Sequence, residues 1–248
     1  MDHLLLWQYG IIGLLFVWSG FVRSGLGFGG SVLSLPLMLL VINDPLVFLP
    51  LIAIQLLIFS SLTVGMDVRN VDWHYLKKAM AIMFVPKLVG ILGLLTLPGS
   101  WLTIMVYTMT LFYALMYLLN LQLSRGNKLT DLVLLILGAY VSGISLIGAP
   151  LIVAAFVRHV AASQLRNTCF VLWFILVLFK VIAFAVAGVD FQFQQQLWLL
   201  PCAAAGHYLG LQVHRKLLGV DAVSFKRVIG AVLGLVSLFG LGQVLISY

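Results

Sequence analysis

Long apolar stretches run along this chain from one end to the other. Windows of about 20 apolar residues have the length that a helix needs to cross a bilayer. The pattern predicts six full spans, near residues 46–66, 76–97, 101–121, 164–187, 194–213 and 226–246. No polar stretch between them is long enough for a soluble domain. Residues 1–248 are therefore predicted to form a single all-α integral membrane domain.

Two further apolar regions, near 4–42 and 131–158, are interrupted by glycines at 25–30 and at 143–148. In the second region each apolar arm is expected to have about 12 to 15 residues, roughly 20 Å as a helix, which cannot cross a hydrocarbon core of about 30 Å. Each region is predicted to form a re-entrant hairpin, and two very short spans are the alternative. Irregular backbone at that depth must be buried in protein or line a cavity.

The distribution of charge gives an independent test of this arrangement. Only 8% of the residues are charged and the mean hydropathy is +1.16, whereas soluble domains have roughly a quarter charged residues. Loops rich in Lys and Arg alternate with loops that have neither. If the positive loops are cytoplasmic, 125–128 and 158–166 lie on the same side, so the segment between them enters and returns. The same logic predicts a multi-pass protein of the cell membrane (a bacterial inner membrane) with both termini outside.

The two halves of the chain resemble each other. A shift of 118 residues pairs Gly25 with Gly143, Gly30 with Gly148 and Asp72 with Asp190. Each half, about 1–122 and about 128–248, then contains one glycine-broken re-entrant hairpin and three transmembrane helices. Because three is an odd number, the second half is expected to be inverted relative to the first. Inverted repeats are an architecture of secondary transporters.

Three short motifs carry a resemblance to a known family. The first is Ser24-Gly25-Leu26-Gly27-Phe28-Gly29-Gly30 followed by Pro36, the second is Asn70-Val71-Asp72-Trp73, and the third runs from Ser142 to Pro150. Together they resemble the signatures of the sulfite exporter TauE/SafE family, although Ser31, Ser145 and Ile147 depart from its glycines. The resemblance implies a transporter for sulfite, sulfoacetate or another organosulfonate, thiosulfate or another small organic anion.

The two glycine breaks are the predicted anion site. Glycine lets backbone approach a ligand, and a helix that starts inside the membrane offers unpaired N–H groups and the positive end of its dipole. Helices are expected to resume near Gly30-Ser31 and Gly148-Ala149. The alternatives are that the glycines only permit close helix packing and that the serines bond to their own helix backbone. The predicted substrate-binding residues at the breaks are Arg23, Ser24, Gly27, Gly29, Gly30, Ser31, Ser142, Ser145, Gly148, Ala149 and Pro150.

Three basic residues outside the breaks complete the predicted site. Lys87 and Lys180 lie inside apolar stretches, and every acidic residue of the chain is an aspartate at the end of an apolar run or in a loop. A substrate anion would satisfy these lysines, whereas Arg23 and Lys180 have snorkelling to a headgroup as the alternative. His207 would exchange a proton near neutral pH or remain neutral and bonded to backbone.

The same residues exclude several other classes of function. The spans contain no aspartate pair for a membrane protease, and no Gly-x-Ser-Gly sequence occurs, so an enzyme is not expected. Intramembrane acids or clustered His and Cys for a metal are missing too, and no cofactor or metal is expected. Dispersed cations argue against nucleic acid. A non-transporting scaffold or assembly factor and an anion channel are the alternatives. The coupling ion (protons or sodium), the direction of transport and a homodimer are left open.

Overall fold

A computed structural model describes residues 5–26, 30–65, 69–121, 126–217 and 222–246. These residues form ten α-helices and no strand, so the all-α prediction is confirmed for the described part of the chain. In chain order the helices are α1 (Leu6–Leu26), α2 (Gly30–Val41), α3 (Pro45–Gly65), α4 (Trp73–Thr96), α5 (Gly99–Leu118), α6 (Lys128–Ser145), α7 (Ala149–Phe156), α8 (Ala162–Val186), α9 (Phe193–Leu217) and α10 (Ala222–Ile246).

Six of the described helices are long and apolar enough to cross a membrane, namely α3, α4, α5, α6, α8 and α10. Five of them are predicted spans. The sixth prediction, 194–213, forms α9, but that helix is not one of the six, because its first turn contains three consecutive glutamines, Gln194 to Gln196. Its place is taken by α6, the first arm of the second hairpin.

The predicted arm lengths of the second hairpin are wrong. α6 has 18 residues and α7 has eight, which correspond to about 27 Å and about 12 Å of helix. The break also begins later than the glycine cluster suggested, because Gly143 stays within α6 and the helix ends at Ser145. The residue with left-handed backbone is Leu146, with φ 60°. Gly143 stays helical because its missing Cβ leaves room for α4, as described below.

The chain divides into two compact units, each drawn from both halves of the sequence. The first unit contains Met1–Phe48, Pro98–Gln122 and Gln192–Tyr248. Within it α1 packs along α9, α5 packs along α10, and α2 returns against α1. Glycines permit the close approach of α1 and α9, since a Cβ at Gly206 would overlap the backbone of Val17 and one at Gly210 would lie 2.5 Å from the carbonyl oxygen of Phe21.

The second unit contains Leu49–Leu97 and Leu123–Phe191. Within it α4 packs along α6, α7 returns against α6, and α8 contacts α4. Glycines again lie at the closest approach, because a Cβ at Gly90 would overlap the carbonyl of Tyr140 and would lie 3.0 Å from the Cα of Gly143. Each hairpin therefore packs on a long helix that comes from the other half of the sequence.

The Asn70-Val71-Asp72-Trp73 motif forms the start of α4. Asp72 caps the helix by accepting a 2.9 Å hydrogen bond from the N–H of Tyr75. The N–H of Asp72 donates to Thr168 Oγ1 at 3.0 Å, and the amide of Asn70 donates to the carbonyl of Ser163 at 2.9 Å. The motif thus fixes the start of α4 against the start of α8.

Candidate functional site

The second break is a tight turn between α6 and α7. As predicted, the helix resumes at Ala149, with Pro150 in its first turn. A Cβ at Gly148 would overlap the carbonyl oxygen of Gly138 and would lie 2.8 Å from the N–H nitrogen of Ser142. Only glycine fits here, so the predicted close-packing role applies to Gly148. The consequence is that the start of α7 lies against the Ser142 turn of α6.

Lys87 reaches this same turn from α4. Its Nζ donates to the carbonyl oxygen of Ser142 at 2.9 Å and to the Ser142 hydroxyl at 3.0 Å. The side chain is fully buried, with 0% of its surface exposed. An ammonium group can donate three hydrogen bonds. Lys87 therefore joins α4 to the second break and has capacity for one more acceptor.

Lys180 is also fully buried, on α8 in the same unit. Among the described residues no atom accepts a hydrogen bond from its Nζ, which lies 5.9 Å from the centroid of the Phe184 ring. The ammonium groups of Lys87 and Lys180 are close enough to repel each other. Burial rules out the alternative that Lys180 extends along the chain surface to a headgroup.

No carboxylate compensates these two lysines among the residues that the structure describes in this unit. Its described aspartates are Asp72, Asp131 and Asp190, and none forms an ion pair with either lysine. Asp72 caps α4, Asp131 lies in the first turn of α6, and Asp190 is in the connection before α9. Two basic groups and one helix start are thus buried in one unit without a matching acid.

The first break lies in the other unit. α1 ends at Leu26 and α2 begins at Gly30, as predicted, while Gly27 and Gly29 lie outside the described residues. Arg23 is in the last turn of α1 and is buried, and Ser31 is buried in α2. A Cβ at Gly30 would lie 2.9 Å from the Cβ of Arg23, so the backbone of Gly30 packs against that turn.

His207 on α9 reaches the first hairpin. Its Nδ1 forms a hydrogen bond with the hydroxyl of Ser24, the residue that follows Arg23. Ser24 is fully buried, whereas the histidine is half-buried. His207 therefore contacts a side chain of the hairpin, in addition to whatever backbone contact it makes.

The two contacts, Ser24 with His207 and Ser142 with Lys87, have the same register within their units. In each, the serine precedes the glycine of α1 or α6 that approaches the long helix, and the basic residue lies three positions before the glycine of that long helix. The equivalent residues are Ser24 and Ser142, Gly25 and Gly143, His207 and Lys87, and Gly210 and Gly90. The shift that relates the long helices is 120 residues, not 118, so a constant shift does not reveal the pair.

The remaining predicted serine of the second break has a local role. Ser145 Oγ donates to the carbonyl of Val141 at 3.0 Å, the backbone bond that was the alternative to a substrate contact. Ser34, which was not among the predicted residues, makes the same kind of bond to the carbonyl of Gly30 at 2.6 Å. It thereby braces the first turn of α2.

An ionic cluster that the sequence pattern did not reveal joins the two ends of the second hairpin. Asp131 in the first turn of α6 forms ion pairs with Arg158 and with His159 Nε2, the latter at 2.8 Å, just beyond the end of α7. Tyr75 of α4 stacks on the His159 ring with centroids 4.9 Å apart. Residues 131 and 158 are the ends of the predicted hairpin. A contact between them is what a returning segment requires.

Comparison with known proteins gives one finding. Residues 12–240, nearly the whole chain, match the family model described as sulfite exporter TauE/SafE. No significant match was found among curated proteins or among solved structures.

Proposed function

Since the chain belongs to the sulfite exporter TauE/SafE family, a family of membrane transporters, we propose that it is a secondary transporter for a small anion. The substrate class is sulfite, sulfoacetate or another organosulfonate, thiosulfate or a related organic anion. Transport would proceed by alternating access. The helix starts at the two glycine breaks would bind the anion, together with the basic residues beside them. We propose no enzymatic activity.

The observation that carries this proposal is the buried positive charge of the second unit. The start of α7 lies against Ser142, Ser142 holds the Lys87 ammonium, and Lys180 is buried nearby. Isolated buried charges cost several kcal/mol, so they persist in membrane proteins chiefly where they have a function. An anion is the ligand that this set of groups would stabilise, because a helix start and two ammonium groups all favour negative charge.

The inverted arrangement of the two halves is part of the proposal. It is supported by the equivalent pairings, α1 with α9 in one unit and α6 with α4 in the other. The re-entrant form of the second hairpin is supported by the ion pair between Asp131 and Arg158, which brings the start of α6 and the segment after α7 together. Two such breaks, one in each half, would give the anion one binding surface from each repeat.

Flux into proteoliposomes tests the proposed function. Purified protein is reconstituted, and the uptake of labelled sulfite, sulfoacetate and thiosulfate is measured with and without unlabelled anion on the other side. Uptake accelerated by the opposite gradient of unlabelled anion is expected for a carrier. Uptake without that acceleration would indicate a channel. The absence of uptake of all three would leave the scaffold alternative.

A pair of lysine variants connects that flux to the site. Lys87→Met removes the donor that contacts Ser142 and is expected to lower uptake at least tenfold. Lys78→Met on the same helix is the matched control, because Lys78 is exposed. Equal uptake by the two variants would contradict the role of the second break.

A further inference from the structure

Lys87 and Lys180 form a pair whose members are held differently. The Lys87 ammonium has two acceptors on Ser142, at 2.9 Å and 3.0 Å. The Lys180 ammonium has none among the described residues, although 0% of its side chain is exposed. Its nearest recorded partner is the face of the Phe184 ring, with 5.9 Å to the centroid. Lys180 therefore has unused donor capacity, and Lys87 supplies a second charge close to it.

The other charged and titratable groups of the packed helices lie away from this pair. α7 and the described part of α3 in this unit, Leu49–Gly65, contain none. Asp131 precedes Ser142 by 11 positions on α6, about 16 Å along the helix, and Arg166 precedes Lys180 by 14 positions on α8, about 21 Å. The titratable side chains of the three helices besides the pair are His74, Tyr75, Lys77 and Lys78 on α4, Lys128, Asp131 and Tyr140 on α6, and Arg166 and Cys169 on α8.

Two buried ammonium groups without a counter-ion are an unstable arrangement. Each charge costs free energy through desolvation, and each raises the cost of the other through repulsion. Groups coupled in this way bind protons as a pair and not independently. The empty pair therefore favours holding fewer than two protons. A bound anion reverses this balance, because its charge stabilises the fully protonated pair.

We infer that Lys180 binds the transported anion directly and that anion binding at the Lys87–Lys180 pair takes up a proton from solution. This inference rests on the proposed function and goes beyond it by naming the coupling ion. The anion and about one proton would be carried together. Protonation involves no other reactant, since water or buffer supplies the proton and the second lysine amine accepts it. Linkage then requires anion affinity to fall by up to about tenfold for each rise of one pH unit over the range in which uptake occurs.

Isothermal titration calorimetry in two buffers with different heats of ionisation counts this proton. The titrations use detergent-purified protein at about pH 9, where thiosulfate, sulfoacetate and sulfite are all fully ionised, so the ligand itself takes up no proton. The observed heats are expected to differ between buffers by the amount that corresponds to about one proton per anion. This measurement needs no variant and is independent of any effect of substitution on folding.

The variant arm assigns the proton to the pair. Lys180→Met is expected to weaken anion binding at least tenfold and to abolish the buffer dependence of the heat. Lys78→Met, an exposed lysine on α4, is expected to match the unsubstituted protein in both respects. Binding by the unsubstituted protein without buffer-dependent heat would overturn the proton inference and leave the proposed function intact. Absence of binding by all three anions would count against the proposed function itself.

Discussion

The two hairpins share a backbone arrangement but differ in the basic group beside it. In the first unit the hydroxyl of Ser24 contacts His207, which is half-buried, and in the second unit the carbonyl and hydroxyl of Ser142 hold Lys87, which is fully buried. Glycines at equivalent positions bring the helices into contact in both. The difference shows that the packing of a hairpin and its chemistry are specified by separate residues, so one can change while the other stays.

A second difference concerns how the ends of the hairpins are joined. Asp131, Arg158 and His159 form an ionic cluster in the second hairpin. The positions 118 residues earlier are Gly13, Leu40 and Val41, which carry no charge. Only the second hairpin has this connection, and it also has the shorter returning helix, eight residues compared with 12. The ionic cluster thus compensates for the small packing surface of α7.

The largest effect that separates the two hairpins is expected at the glycines that precede the returning helices. Gly148→Ala would place a methyl group into the backbone of Gly138 and Ser142, which cannot move without displacing α6. Overpacking of this kind costs about 3 kcal/mol. Gly30→Ala would meet the Cβ of Arg23 at 2.9 Å and is expected to cost about 1 kcal/mol. Thermal unfolding in detergent, followed by size-exclusion chromatography, measures both.

Gly242→Ala is the control for these two variants. Gly242 lies within α10, and a Cβ there would have nothing within 4 Å. Alanine is the better helix former, so stability is expected to rise by up to about 1 kcal/mol. A Gly148→Ala protein as stable as the Gly30→Ala protein would show that the second break is not the tighter of the two.

The ionic cluster provides the next largest effect. Asp131→Asn removes the charge that Arg158 and His159 share, and hydrogen bonds to charged groups contribute about 2 kcal/mol. We expect faster hydrogen exchange in the first turn of α6 and in the last turn of α7, with no change in the first hairpin. Lys128→Met, an exposed substitution in the same turn of α6, should leave exchange unchanged. Equal protection in the Asp131→Asn protein would show that the cluster does not hold the ends together.

Removal of the serine hydroxyls has a smaller effect that compares the two basic contacts directly. Ser142→Ala leaves Lys87 with only the carbonyl of residue 142 and is expected to cost about 1.5 kcal/mol, because the lysine is fully buried. Ser24→Ala is expected to cost about 1 kcal/mol, because the half-buried His207 has access to other partners. Unfolding midpoints of the two variants rank them. A larger loss for Ser24→Ala would reverse the order of importance given to the two units.

Much of this architecture follows from the sequence. Helix length and apolar content locate five of the six candidate spans, because a bilayer imposes about 20 residues on any crossing helix. The starts of α2 at Gly30 and of α7 at Ala149 follow from glycine and proline chemistry. The family follows from the motifs. The exact turn at Leu146 does not, since a buried leucine in left-handed backbone depends on contacts from the rest of the unit.

The partners of the site residues are also beyond the sequence. Apolar runs show that Lys87 and Lys180 are inside the protein, but not that Ser142 holds the first and that no described residue accepts from the second. Asp131 and Arg158 are 27 positions apart, and their contact appears only when α7 returns. These facts depend on tertiary packing, to which hydrophobic periodicity and loop charge are blind.

The smallest predicted effect concerns the aspartate of the repeated Val-Asp-aromatic motif. Asp72 directly precedes α4 and caps it, whereas its counterpart Asp190 precedes α9 by three positions and is exposed. Asp72→Ala should destabilise the protein by about 1 kcal/mol, the usual contribution of a capping side chain. Asp72→Asn preserves an oxygen acceptor and should cost only a few tenths of that amount. Asp190→Ala should have less effect than Asp72→Ala on helical hydrogen exchange, and a larger effect would mean that the cap belongs to the second copy of the motif.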